Sequence, residues 1–327
     1  MGVNIKEILS RKEIRFDQLK GKKVAVDAMN TLYQFMAIIR QRDGELLHDS
    51  RGRVTSHLSG LFYRTINLLE YGVRPVYVFD GEPPKLKQGT LEKRKKAKKK
   101  AASKLKKAKK EGKEEEIRKY AQRTIRLTGK MVDESKRLLE YMGIPYVQAP
   151  SEGEAQAAYM TMKSDVWATG SQDFDSLLFG APRLIRNLTI SGRRKLPGKN
   201  IYKKIAPEIL TLSNSLKKNE ITREELVEIG ILIGTDFNEG VKGVGPKTAL
   251  KRIKNGEFEG YEAVKKIFLD PKVTDDYRMR DREPAKSEIV EFLCEERDFS
   301  YERVEKGYER MIKAFFESKQ RSLDSYF

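Results

Sequence analysis

Short β-branched and aromatic runs alternate along the chain with longer stretches whose apolar residues recur at helical spacing. "KKVAVDA" (22–28) reads as a buried strand ending in Asp27. "RPVYVFDGEPP" (74–84) reads as a second, Val76 to Phe79, followed by Asp80 and then by Gly and Pro to break it. "IPYVQAPSEGE" and "VWATGSQDFD" supply two more strand candidates. Between them, "LSGLFYRTINLLEYG" and "DESKRLLEYMG" have the helical period, the second closed by Gly143 as a C-cap. This alternation predicts an α/β fold with a central, mostly parallel sheet flanked by helices. In such sheets, sites gather at the carboxyl ends of the strands. After about residue 205 the strand signals fade, and helical segments with short breaks continue to the end.

The apolar runs tend to end in acids. Asp27 and Asp80 close the first two strands. Glu152 and Glu154 stand in "SEGEAQAAY", Asp173 and Asp175 in "SQDFDSLLFG", and Asp236 in "LIGTDFNEG" after the run "IGILIG". The doublets taken alone have ordinary structural accounts. Ser151 can cap a helix with Glu154 at its third position, and Asp173 or Asp175 can form an Asx-turn or a cap for "SLLFG". The strand-end aspartates are different, because an unpaired carboxylate there costs several kcal/mol or shifts its pKa unless a cation satisfies it. An all-carboxylate set with no clustered His or Cys selects hard cations, Mg²⁺ or Mn²⁺. Seven carboxylates exceed the needs of one Mg²⁺ and suit a two-metal site, with about 3.5–4 Å between ions, that clamps a phosphodiester and activates water. The only histidines, His48 and His57, lie in a polar region, which argues against zinc. "GVKGVGPKT" (240–248) is not a nucleotide-binding loop, since Pro246 separates Gly245 from Lys247. It reads instead as the hairpin of a helix-hairpin-helix, with Gly243 and Gly245 letting the backbone approach a phosphate and Lys247 meeting its charge; the plain alternative is a loop opening a helix.

Charge sharpens the choice of partner. The 327 residues carry 66 Lys and Arg against 48 Asp and Glu, a net charge of +18. That excess favours polyanions, nucleic acid before acidic membrane. Residues 93–110, "KRKKAKKKAASKLKKAKK", contain no acid and favour helix, and polar helix is expected to continue to about Thr128. The 35% charged content also fits a heat-adapted surface. The single cysteine, Cys294, excludes an intramolecular disulfide and fits a reducing, intracellular setting. The N-terminus lacks a signal-peptide core, and no apolar run is long enough to span a bilayer.

"VAVDAMNTLYQF", "SHLSGLFYRT", "PVYVFDGEPPKLK", "MGIPYVQAPSEGEAQAAY", "GSQDFDSLLFG", "LIGTDFNEGVKGVGPK" and the end "QRSLDSYF" together resemble the flap endonucleases, structure-specific 5′ nucleases of the XPG/RAD2-like family in archaea and eukaryotes. The resemblance runs through nearly the whole chain. It implies Mg²⁺-dependent cleavage at 5′-flap junctions, with 5′–3′ exonuclease activity, in Okazaki-fragment maturation and long-patch base excision repair. It implies two Mg²⁺ ions bound by the seven acids, with Mn²⁺ as a substitute. Lys87 and Arg94 fall where the family places two catalytic cations that reach the scissile phosphate, and their spacing of seven would put both on one helix face. It further implies DNA contacts at Gly2, Tyr33, Arg40, Thr55, Glu152, Gly234, Asp236, Gly243, Gly245 and Lys247. Tyr33 would stack on a nucleotide, with core packing as its plain alternative. "TSHL" (55–58) would help form a pocket for a one-nucleotide 3′ flap.

The expected organisation is an N-terminal nuclease region (1–98), a basic helical cap (99–128), an internal nuclease region with the hairpin motif (129–258), a helical region (259–318) and a tail (319–327). Gln320, Leu323, Tyr326 and Phe327 match the pattern that binds the sliding clamp, proliferating cell nuclear antigen. The last three fall at i, i+3 and i+4, so one helical turn presents them to a single pocket. A cytoplasmic, nucleoid-associated monomer acting on branched DNA is expected. The alternatives are a non-catalytic junction-binding protein with a structural metal, and a related 5′ exonuclease or excision-repair nuclease.

Overall fold

The structure, a computed structural model, describes residues 2–41, 43–189, 192–195, 202–280 and 282–324. Its strands are β1 (Arg11–Glu13), β2 (Lys23–Asp27), β3 (Arg74–Phe79), β4 (Tyr146–Gln148), β5 (Ala168–Gly170), β6 (Arg183–Arg186), β7 (Gly192–Lys195), β8 (Tyr202–Ile205) and β9 (Glu208–Thr211). Seven of them form one sheet in the order β1-β9-β6-β5-β2-β3-β4, and β7 pairs with β8 alone. β2, β5 and β6 run parallel, as a βαβ reading requires. β9 lies antiparallel between β6 and β1. The four strands expected from the apolar runs are β2 to β5. β1, β6, β7, β8 and β9 were not expected; β9 corrects the reading that strand signals end near residue 205.

The chain forms two compact units, each assembled from three stretches. One comprises Met1–Ala28, Tyr77–Thr90 and Val147–Tyr277; the other comprises Met29–Val76, Leu91–Tyr146 and Arg278–Phe327. In the first, Ile5, Leu177, Leu178, Leu184, Ile229 and Phe268 belong to one continuous apolar core. The register Val24↔Ala168, Ala25↔Thr169, Val26↔Gly170 brings Asp27 level with Ser171, just beyond the paired residues.

In the second unit, helix Ser56–Glu70 buries Leu58, Leu61, Phe62 and Ile66. Helix Gly129–Tyr141 ends at Gly143, whose φ of 69° is the left-handed cap geometry expected for it. A basic helix spans Gln88–Lys110 and a second polar helix Glu114–Arg123, so the polar helix stops short of Thr128. His57 is the clearest departure. It is wholly buried rather than in polar surroundings, with Nε2 3.2 Å from Glu134 Oε2. Arg297 donates to the other oxygen of Glu134 at 2.7 Å. Among the described residues no helix is long and apolar enough to cross a membrane.

Candidate metal centre and nucleic-acid interface

All seven acids and Lys87 belong to the first unit. β2 delivers Asp27, which is only 8% exposed, and the adjacent end of β5 delivers Ser171. The Ser171 hydroxyl lies 2.8 Å from Glu154 Oε1 and 3.3 Å from Asp27 Oδ2, and it accepts the Asp173 N–H at 3.2 Å. One hydroxyl thus ties together three acids that are far apart in sequence. β3 delivers Asp80, whose Oδ1 accepts the Gly153 N–H at 2.8 Å. Asp175 opens the short helix Asp175–Leu178 and accepts the Val3 N–H at 2.7 Å. Gly2 lies against it: a Cβ there would come within 2.5 Å of Asp175 Oδ1, so position 2 admits no side chain without moving that carboxylate. Asp236 follows helix Arg223–Ile233, which ends at Gly234 with φ 108°. Lys87 Nζ lies 2.5 Å from Glu152 Oε2 and 3.5 Å from Asp236 Oδ2.

Two local expectations change. Ser151 does not cap helix Gly153–Met162; Glu152 occupies that position, and the Ser151 hydroxyl donates to the Glu82 carbonyl at 3.0 Å. Lys87 closes a 3-10 turn, Lys85–Lys87, that runs into helix Gln88–Lys110 carrying Arg94, so the two cations sit on successive elements rather than one helix.

Crowded carboxylates in a concave site resist ionisation. Burial, reinforced by Asp175, Asp27 and Asp173, raises Glu154 well above its ordinary value. Burial pushes Asp175 up to about 7, opposed by the Val3 N–H and assisted by Asp173 and Asp236. Burial also raises Asp80 and Glu152, with Lys87 pulling both back. Asp80 is open to solvent at the mouth of the site, yet protein atoms ring its carboxyl closely enough to raise it. Lys87 is moved oppositely. Burial alone would lower it, but Glu152, Asp80 and Asp236 hold its ammonium above the ordinary range.

An all-oxygen donor set with excess negative charge fits a hard divalent cation and does not fit zinc. A cation placed among these acids would offset the repulsion that raises them. Among the described residues no three of these acids close into a finished ligand cluster. Lys87 is the cation holding Glu152 and Asp236.

The hairpin motif takes the expected form. Helix Arg223–Ile233 is followed by Gly243 at φ 82°, and Gly245 caps helix Pro246–Lys254 with Pro at its first turn. Nothing lies within 4 Å of a Cβ built at Gly243 or Gly245, and Lys247 is exposed at the helix N-terminus. Two glycines with open space on their Cβ side, a helix N-terminus and an exposed lysine therefore lie together, an arrangement suited to a phosphate.

Arg94, Tyr33, Arg40 and Thr55 belong to the second unit. Lys98 Nζ stands 5.1 Å from the centre of the half-buried Tyr33 ring. The Arg40 guanidinium donates to the Gly44 and Ala121 carbonyls at 2.7 and 3.2 Å. Thr55 is buried, its N–H donating to the Leu47 carbonyl at 2.8 Å. Gln320 and Leu323 fall within helix Tyr301–Asp324, while Tyr326 and Phe327 lie outside the described residues. Ser171 was missed by sequence reasoning, since a serine after a strand carries no signal until two strand ends are set side by side.

Family models for the XPG N-terminal domain and the XPG I-region match residues 1–101 and 143–236. The chain is 55% identical over 339 residues to Flap endonuclease 1 of Pyrococcus furiosus, covering 100% of this chain and 99% of that protein. It is 53% identical over 339 residues to Flap endonuclease 1 of Archaeoglobus fulgidus, covering 100% of both. Among solved structures, flap endonuclease-1 from Methanococcus jannaschii superposes with a TM-score of 0.78 at 46% identity, covering 97% of this chain and 99% of that one. The catalytic core of Rad2 in complex with DNA substrate superposes with a TM-score of 0.68 at 25% identity, covering 92% of this chain and 96% of that one. With seven acids at the carboxyl end of its sheet and full-length likeness of this kind, the chain belongs to the flap endonuclease family.

Proposed function

We infer that the chain is a structure-specific 5′-flap endonuclease, with 5′–3′ exonuclease activity, serving Okazaki-fragment maturation and long-patch base excision repair. The observation that carries this reading is the gathering of Asp27, Asp80, Glu152, Glu154, Asp173, Asp175 and Asp236 in one unit of the fold, three of them around the buried Lys87. Ser171 links Asp27, Glu154 and the Asp173 backbone, and the charges of Asp27, Asp173 and Asp175 all bear on Glu154, so these four acids form one group. Asp80, Glu152 and Asp236 form another around Lys87. Two groups suit two Mg²⁺ ions, with Mn²⁺ as a substitute. Bound there, such ions would neutralise a phosphodiester and make a water molecule more acidic.

The chain's own residues supply the rest. Lys87 exchanges Glu152 for a non-bridging phosphate oxygen, and its donors then meet the charge that grows in the transition state. Arg94 adds a second cation to the same phosphate. Gly2, Tyr33, Arg40 and Thr55 contact DNA near the junction, and Gly243, Gly245 and Lys247 hold a duplex phosphate away from it. The tail residues Gln320, Leu323, Tyr326 and Phe327 dock the monomer on the sliding clamp inside the cell. The test is cleavage of labelled 5′-flap, nicked, bubble and four-way DNA with and without Mg²⁺. Preferential, Mg²⁺-dependent cutting of the flap supports the reading; equal cutting of all four, or cutting in excess chelator, overturns it.

A further inference from the structure

Two loops bring Asp80 and Lys87 to Glu152, and nothing in the reaction chemistry explains why they stay together. Asp80 leads into "GEPPK", which ends in the turn carrying Lys87. Glu152 and Glu154 follow β4 through "APSEGE". The loops are laced by backbone. The Gly81 N–H donates to the Ser151 carbonyl at 2.6 Å, and the Glu82 N–H to the Pro150 carbonyl at 3.3 Å. The Ser151 hydroxyl returns a bond to the Glu82 carbonyl at 3.0 Å, and the Gln148 amide donates to the Asp80 carbonyl at 2.8 Å.

This lacing has one steric condition. A Cβ built at Gly81 would lie 2.2 Å from the Ala149 carbonyl oxygen and 2.6 Å from the Pro150 carbonyl carbon. Both neighbours are backbone, so neither can swing aside. Any side chain at position 81 must push the two loops apart, and with them Asp80 and Lys87 from Glu152.

We propose that Gly81 is a positioning residue for the metal centre: by admitting backbone-to-backbone contact it sets the separation of Asp80 and Glu152, and Ser151 pins that separation. The proposal rests on the two-metal reading above. It predicts a defect in cation binding that is separate from DNA binding, because the hairpin residues Gly243, Gly245 and Lys247 lie on other elements.

The test is Mn²⁺ binding to the full chain without DNA, followed by electron paramagnetic resonance of free Mn²⁺, with flap-DNA binding in chelator measured in parallel. Gly81→Ala should weaken Mn²⁺ binding at least tenfold and leave chelator-condition DNA affinity within about twofold. Raising Mn²⁺ should recover part of the single-turnover rate. Ser151→Ala, which removes one hydroxyl and adds no bulk, should weaken Mn²⁺ severalfold at an unchanged melting temperature. Parental Mn²⁺ affinity in folded Gly81→Ala overturns the proposal. If Gly81→Ala does not fold, parental affinity in Ser151→Ala overturns it. A parent protein that binds no Mn²⁺ at all would sink the metal reading itself, which is a different failure.

Discussion

Replacing Asp175 by Asn should stabilise the metal-free protein while disabling the enzyme. Burial lifts the Asp175 carboxyl from the ordinary 3.8 to about 7. The folded state therefore holds this proton more tightly than the unfolded state. The contribution of Asp175 to metal-free stability falls as pH rises from about 4 to about 7 and levels off above, since unfolding releases its proton only inside that window. A tenfold change in proton binding is worth about 1.4 kcal/mol, so the full difference amounts to about 4 kcal/mol, an upper value because neighbouring acids share the strain. Asparagine carries no charge, and its side-chain oxygen can still accept the Val3 N–H. Urea denaturation followed by the fluorescence of Trp167, in chelator, should show Asp175→Asn more stable than the parent by a few kcal/mol at pH 8, the difference shrinking to about 1 kcal/mol at pH 4.5. Added Mg²⁺ should stabilise the parent at pH 8 and the variant much less. A pH-independent difference, or a variant less stable than the parent at pH 8, would refute the electrostatic account of the site.

Lys87→Ala should lower the single-turnover rate about a hundredfold while changing flap-DNA affinity little, as measured by rapid quench and titration; equal losses in both would make Lys87 an ordinary DNA contact. Affinity for flap DNA should fall steeply with log[salt], by about 0.9 per phosphate neutralised on duplex, and Lys247→Ala should reduce the slope by about 1. Burial pushes the Glu134 carboxyl up, but hydrogen bonds from His57 and Arg297 outweigh it and hold the group below 4.5. Its stabilisation is therefore present above the unfolded value and lost as pH falls through the folded one. Glu134→Gln should destabilise by about 3 kcal/mol at neutral pH, a difference that shrinks in urea melts as acid protonates the folded carboxyl. Deleting residues 320–327 should leave basal flap cleavage intact and abolish stimulation by the trimeric sliding clamp; unchanged clamp affinity in calorimetry would refute the tail assignment.

The parts of the site legible in sequence were those with a local signature. Asp27 and Asp80 announced themselves because a β-branched run buries its residues and a carboxylate at its end needs a reason. The hairpin was legible from Gly243, Gly245 and the Lys247 that follows them. Elements stabilised by long-range pairing were not. β1 is three exposed residues, Arg11–Glu13, recruited by backbone bonds to β9 rather than by any apolar pattern. Ser171 acquires its role only when β2 and β5 lie side by side. Ser151 had the right spacing for a cap, but the nearby Glu82 carbonyl claimed its hydroxyl. His57 sits among Thr55 and Ser56, which read as polar, yet it falls four residues before Leu61 on a buried helix face and finds Glu134 there.

The central claim is that the seven carboxylates form one metal-loaded centre for phosphodiester hydrolysis. Its most direct test is a Mg²⁺ titration of single-turnover cleavage on a labelled 5′-flap substrate, with the parent, Asp173→Ala and Asp236→Ala side by side. The parent should cut at the junction with a rate that rises with Mg²⁺ and vanishes in chelator. Each variant should bind the flap yet cut at least about a thousandfold more slowly. Parent-like cleavage by both variants in Mg²⁺ would contradict the account.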